Sequence, residues 1–121
     1  MPNQVVWFDV PVTDLDRAIK FYSAVLGAAV KKEVLPGGSI GILPHEEKTI
    51  GGCLVQCTDG NHPSSQGPLL YLNAQGRLDQ AVAAVAPNGG KVLEPKHSIG
   101  PYGFRALIVD SEGNRVALHS M

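Results

Sequence analysis

The rhythm of apolar and polar residues changes several times along the chain, and each change marks an element. Val5 to Val10 is a short β-branched and aromatic run that predicts a strand. Thr13 or Asp14 can then accept from the free N–H groups that open a helix. Leu15, Ala18, Ile19, Tyr22 and Leu26 recur at helical spacing and give that helix one apolar face, and Gly27 ends it. Strands are expected near 29–34, 39–43 and 50–57. The same succession then repeats. A strand is expected near 69–74 and a helix near 77–86, stopped by Pro87-Asn88-Gly89-Gly90. Strands near 91–94, 103–109 and 114–119 complete it.

The repetition is visible residue by residue. Asp16 pairs with Asp79, an offset of 63 (79 − 16), and the same offset pairs Ala18 with Ala81 and Ile19 with Val82. Carried back without a gap, it pairs Trp7 with Leu70. An offset of half the chain implies two copies of one strand–helix–three-strand unit, not a solenoid. The units are expected at 1–58 and 69–121 of a single domain, joined by a linker over 59–68 within the Gly-, Pro- and Ser-rich stretch Thr58 to Pro68. The last two strands are joined by Asp110-Ser111-Glu112-Gly113-Asn114, a tight hairpin in which Glu112 reads as a solvated turn residue.

Bulk properties then narrow the function classes. A net charge of −1, with scattered Lys and Arg, gives no basic patch for nucleic acid. No apolar stretch approaches the roughly 18 residues of a membrane span, and the opening Met1 to Val10 lacks the plan of a signal peptide. A cytoplasmic protein is the expectation. Cys53 and Cys57 would lie about 13 Å apart on one strand, beyond the roughly 7 Å a disulfide spans, so both are expected as free thiols in a structural role.

Two stretches, VTDLDRAIKFYSAVLG near the start and GPYGFRALIVDSEGNRVALHS at the end, together with the duplication between them, resemble the vicinal oxygen chelate superfamily, which holds glyoxalase I, bleomycin-resistance proteins and extradiol dioxygenases. The resemblance covers essentially the whole chain. It implies an α+β fold of two tandem βαβββ modules forming a curved sheet, a ligand in the concave cleft, and a homodimer. It also implies where a divalent metal would be held: by residues of each module's first strand and of the last strands. The first-strand position lies seven residues before the Asp that opens the helix, which here is Trp7; its gapless counterpart is Leu70. The final-strand position falls at Ala117, and the remaining one within Gly52 to Leu54. An indole N–H donates and cannot ligate a cation, and a hard divalent ion needs oxygen or imidazole ligands. The expectation is therefore a member with no metal and no cofactor.

Strand alternation selects what faces the cleft. If Trp7 faces it, so does Asp9; if Ala117 does, so do Arg115 and His119. Trp7 could stack on a planar ligand or plug the former metal space. Asp9 could pair with Arg115 or Arg105, anchor a ligand amine, or act as a base. His119 could act as an acid or base near neutral pH. Lys96, His97 and Tyr102 are expected on a Gly- and Pro-bearing loop that could cover the cleft. His45 and His62 read as solvated turn residues, with Glu46 and Glu47 beside His45, away from the cleft. Ser64 and Ser65 have no base at a meaningful spacing. The expected ligand-binding set is Trp7, Asp9, Leu70, Tyr102, Arg115, Ala117 and His119, with Asp9 and His119 the candidates for catalysis. Three functions compete: a metal-independent small-molecule binder, a glyoxalase-like lyase using Asp9 or His119, and a structural or regulatory dimer with a vestigial cleft.

Overall fold

The computed structural model describes residues 3–121. The first half holds β1 (Trp7–Val12), α1 (Leu15–Leu26), β2 (Lys31–Leu35), β3 (Gly38–Ile42) and β4 (Gly51–Gln56). The second holds β5 (Leu70–Asn73), α2 (Leu78–Val85), β6 (Lys91–Ser98), β7 (Phe104–Val109) and β8 (Arg115–Ser120). The strands form two four-stranded mixed sheets of the same order, β1-β4-β3-β2 and β5-β8-β7-β6. In each, the first and last strands of the unit run parallel and the others antiparallel. The expected α+β architecture of two βαβββ modules is present, as two four-stranded sheets that no ladder joins among the described residues.

Alternation along the strands sends every second side chain to one side, where the helices lie. Val10, Val12, Leu54, Leu72, Ile108, Val116 and Leu118 join Phe21, Tyr22 and Val25 of α1 and Leu78, Ala81 and Val85 of α2 in a single buried cluster. Both helices therefore pack on the same side of the strands, and one core serves both halves. The opposite side of each sheet is left open.

The helices repeat at the expected 63 residues (Leu15 to Leu78), but the first strands do not. Their buried positions, Val10 and Val12 against Leu72 and Ala74, repeat at 62. The extra residue lies in the turn before α2, where Gly76 adopts φ +74°. A one-residue slip exchanges the two faces of a strand. Leu70 consequently shares the helix side with Leu72, packs against the core, and sits opposite the buried Val116. Tyr71, not Leu70, faces outward.

The two halves are tied together at the ends of α1. Asp14 caps the helix in the ordinary way, accepting from the Arg17 N–H at 3.1 Å. Glu112 adds a second cap from the other half. Its carboxylate accepts from the N–H groups of Thr13 (2.9 Å) and Asp14 (2.8 Å) and from Nε (2.7 Å) and Nη2 (2.9 Å) of Arg17. The side chain is 0% exposed, so Glu112 is not the solvated turn residue its hairpin suggested. Burial would raise its carboxyl, but the Arg17 guanidinium, the two N–H groups and the Ser111 hydroxyl outweigh that and hold it down at about 2. Beside it, buried Asp110 accepts from the Tyr22 hydroxyl (2.5 Å), from the N–H groups of Glu112 and Asn114 and from Asn114 Nδ2. Asn114 Nδ2 also donates to the Pro11 carbonyl at 2.7 Å. At the far end of α1, Arg77 Nη1 donates to the Val25 carbonyl at 2.6 Å. Gly27 ends the helix with φ +70°, and a Cβ there would lie 2.6 Å from the Arg77 guanidinium carbon. Glycine is needed at this position both for the left-handed turn and for the room it leaves.

One further expectation is corrected. Lys96 and His97 belong to β6, which runs on to Ser98 through two register irregularities. They are not part of a covering loop. The connection to β7 is short, with Tyr102 ending a single 3₁₀ turn over Gly100–Tyr102.

Candidate functional site

The open faces of the two sheets carry different chemistry. On the first sheet the outward residues are Trp7 and Asp9 of the edge strand β1 and Cys53, Val55, Ile40 and Ile42 of the central strands, placed by the registers Asp9–Cys53, Ile40–Val55 and Ile42–Cys53. The face is apolar across β3 and β4, with the Asp9 carboxylate on β1 and two charged residues, Lys31 and Glu33, on β2 opposite Ile42 and Ile40. Asp9 is exposed and accepts from the Cys53 thiol at 3.3 Å. It forms no ion pair with Arg115 or Arg105 among the described residues, contrary to the simplest expectation for a carboxylate there. Burial first, and the Asp9 hydrogen bond second, push the Cys53 thiol up to about 11, so it is a protonated donor at neutral pH. Both cysteines are free.

Trp7 is 44% exposed and does not plug the interior of this chain. Its ring meets His45 edge-on, with centroids 6.0 Å apart at 87°. Gly51 lies opposite Trp7 in the ladder, and a Cβ there would come within 2.9 Å of both rings. Glycine at 51 thus lets the indole and imidazole approach over the backbone. His45, expected in a solvated turn away from the site, is exposed but stands against Trp7; Gly51, which leaves room for both rings, was the sequence signal for it. His62 does remain in a turn, bonded to the Asp59 carbonyl.

The second sheet presents a polar row. The registers align Asn73, His119, Arg105 and His97 across all four strands. Tyr71 and Ala117 form the next pair. The Arg105 Nε donates to His97 Nε2 (3.0 Å), and its Nη1 donates to the Tyr71 hydroxyl (2.6 Å). His119 Nε2 donates to the Tyr102 carbonyl at 2.6 Å, which brings those two expected residues together and leaves Nδ1 as the free ring nitrogen. The rings of Tyr71 and His119 lie 6.1 Å apart. Tyr71 and Asn73 were missed as site residues because the gapless offset gave β5 the wrong phase, and Arg105 because His97, its partner, was expected on a loop and not on β6.

Arg115 and Asp9 share a groove of about 280 Å³ with His62, Ser64 and Asn114. Arg115 Nη2 donates to the Gly67 carbonyl at 3.1 Å, while its Nε is buried with no partner among the described residues. A larger apolar groove, about 590 Å³, lies where β1 and β5 approach and is lined by Phe8, Leu43, Ile50, Leu70 and Leu72.

The geometry also locates the positions at which the resemblance implies metal ligands. Val10 aligns with Leu54, and Leu72 with Leu118. Since Val10 and Leu72 are equivalent, Cys53 is the counterpart of Ala117, and Leu69, not Leu70, is the counterpart of Trp7. Trp7, Cys53, Leu69 and Ala117 provide an indole, a protonated thiol, an isobutyl and a methyl group. This donor set does not fit a hard divalent ion. Among the described residues, no three His, Cys, Asp or Glu side chains come together so as to hold a metal. Among the described residues no helix is long and apolar enough to cross a membrane.

Comparisons with known proteins agree with this architecture. The family model of the Glyoxalase/Bleomycin resistance protein/Dioxygenase superfamily matches residues 4–118. The CFP32 protein of Mycobacterium tuberculosis is 31% identical over 117 residues, covering 93% of this chain but only 43% of its own length. The chain thus spans less than half of that relative. A glyoxylase-like domain-containing protein of Didymella fabae is 32% identical, covering 96% of this chain and 92% of its own. Among solved structures, a glyoxalase/bleomycin resistance protein of Albidiferax ferrireducens superposes with a TM-score of 0.81 at 22% identity, covering 98% and 99% of the two chains. TnmS3, an antibiotic binding protein of a Streptomyces species, superposes with a TM-score of 0.71 at 25% identity, covering 98% and 96%. The chain belongs to the glyoxalase/bleomycin resistance protein/dioxygenase superfamily.

Proposed function

We propose that this protein binds a small planar molecule on its open sheet faces, without a metal, and that a second copy of the chain completes the site. The observation that carries this reading is Trp7. It is a half-exposed indole at the edge of an apolar stretch of β3 and β4, standing beside Asp9 at the position where the family's metal-dependent members place a ligand. Indole stacks on planar molecules, and the neighbouring carboxylate could anchor a ligand donor. The similarity to an antibiotic binding protein supports the same class of function. The homodimer is supported by the aromatic residues left uncovered on the open faces, Trp7 (44% exposed) and Tyr71 (48%), because uncovered apolar surface often marks an interface.

Titrating the protein with bleomycin and a panel of planar aromatic antibiotics tests the reading. Trp7 is the single tryptophan, so binding should quench its emission, and Trp7→Phe should abolish the signal. Calorimetry with the Phe variant should show binding weakened several-fold. Elemental analysis of the purified protein should find no stoichiometric transition metal. Light scattering should give twice the chain mass.

A second reading, a lyase-type proton transfer, is favoured by one observation. His119 donates through Nε2 to a fixed carbonyl, which leaves Nδ1 free as a base beside Tyr71. Lactoylglutathione formation that is lost in His119→Gln would establish it.

A further inference from the structure

The polar row on the second sheet is built around a cation with no anion. Arg105 is half-buried, and among the described residues no carboxylate lies within ion-pair distance of it. The nearest acidic neighbour across the ladder is Glu94, one row away opposite Leu107, and it makes no bond to Arg105. The guanidinium is nonetheless held firmly. Two of its five N–H groups are used, Nε on His97 and one of Nη1 on the Tyr71 hydroxyl. The guanidinium carbon lies 5.9 Å from the Tyr71 ring centroid, within range of a cation–π contact.

His97 is itself fixed. Its Nδ1 donates to the Pro95 carbonyl at 2.9 Å, so the ring is a neutral imidazole whose Nε2 accepts from Arg105. The two anchors set the plane and direction of the fork. Three N–H groups, the second of Nη1 and both of Nη2, have no acceptor among the described residues. A guanidinium offers such a pair of parallel donors to a planar oxyanion in a bidentate way. Because Arg105 is already oriented, little rotamer entropy is lost when an oxyanion arrives.

The geometry points to Arg105, held by His97 and Tyr71, as the receptor for an oxyanion, the carboxylate or phosphate of an aromatic ligand. This inference rests on the reading that the open faces bind a small molecule, and it adds the ligand's charge. The two faces then divide the work: the first sheet supplies an aromatic platform, the second a fixed cation.

Calorimetric titration of the intact protein with 1-naphthoate, 1-naphthyl phosphate and the neutral 1-naphthalenemethanol decides the matter. At least one of the two anions should bind about tenfold or more tightly than the alcohol, corresponding to ~1.4 kcal/mol. Whichever anion wins identifies the preferred group, and inorganic phosphate should compete only if that group is phosphate. Arg105→Gln should abolish the preference, and Arg105→Lys should recover only part of it, since an ammonium lacks the fork. Thermal melting of both variants checks that the fold is kept. Equal affinity for all three compounds would overturn the oxyanion inference while leaving the small-molecule reading intact. An anion preference that survives in Arg105→Gln would overturn the assignment to Arg105. Binding of none of the three would also overturn it, and the antibiotic titration would then decide the wider reading separately.

Discussion

The two hairpins that close the two halves begin from the same plan and end as different objects. Each joins its unit's third and fourth strands. Glu46 and Asp110 each stand five residues before the final strand. In the first half the connection is exposed, and its polar contacts are local, between Thr49 and Glu46. In the second half Asp110 is buried and gathers hydrogen bonds from Tyr22 and Asn114, while Glu112 reaches into the start of α1. The open faces diverge in the same manner: the central strands of the first are apolar, while a polar row crosses all four strands of the second. Duplication supplied two equivalent turns and two equivalent faces. Packing the halves around one core gave one turn a partner and left the other free for the site, where His45 meets Trp7.

The hairpin contrast can be broken most forcefully at Asp110. Asp110→Ala would strand the buried Tyr22 hydroxyl and two backbone N–H groups, at a cost of roughly 4 kcal/mol. The counterpart Glu46→Ala should stay within about 0.5 kcal/mol. Urea unfolding of both variants measures the difference, and similar midpoints would end the argument for a one-sided clamp.

The contrast between buried and open faces is tested on neighbouring residues of β5. Leu72→Ala should cost about 3 kcal/mol as a buried large-to-small change. Tyr71→Ala, on the open face, should cost less than about 1 kcal/mol. The reversed order would restore the gapless offset and return Leu70 to the open face.

Much of the fold was legible because its signals are local. The cap at Asp14, the αL glycine at 27 and the apolar face of α1 depend on residues within a few positions of each other. The parts that could not be read depend on contacts between halves. Glu112 has the sequence context of a solvated turn, and only the packing of α1 against the second half turns it into a buried cap. The phase of β5 hung on one extra residue in a Gly-bearing turn, which a gapless repeat conceals. The site divided in the same way. The outward phase of Trp7, Asp9, Arg115, Ala117 and His119 followed from alternation alone. The fixed fork of Arg105 needs β6 to continue past Pro95 to His97, and a proline in that stretch is a local signal for a loop.

The pH dependence of stability sharpens the clamp further. The Glu112 carboxyl is depressed to about 2 in the folded chain, against about 4.3 for an ordinary glutamate. A depressed acid stabilises the fold fully above its unfolded pKa, and that stabilisation is lost as pH falls through 4 towards 2. Glu112→Gln should cost about 2 kcal/mol at pH 7. Its deficit should shrink on acidification, with the two stability curves converging near pH 2. A deficit independent of pH would assign the effect to shape, not charge.

The smallest effect concerns the thiols of the first half. With its thiol at about 11, Cys53 should react with iodoacetamide at pH 7.5 far more slowly than Cys57, and its rate should still be rising above pH 9. Peptide mapping after timed quenching separates the two sites. Faster labelling of Cys53 would mean that Asp9 does not hold it.

Helix α1 is gripped at both poles by the half to which it does not belong. An acid, Glu112, sits at the end where backbone N–H groups concentrate positive potential, and a base, Arg77, sits at the end where carbonyls concentrate negative potential. The sequence repeat therefore does not correspond to two units of unfolding. Opening the second half would remove the counter-charges from both ends of α1 and expose its core face at once, so the halves are coupled into one cooperative transition. Amide protons in the middle of α1 should exchange with solvent only when the whole domain opens, at the same free energy as those of β8. What was duplicated as a separable gene segment has become thermodynamically indivisible.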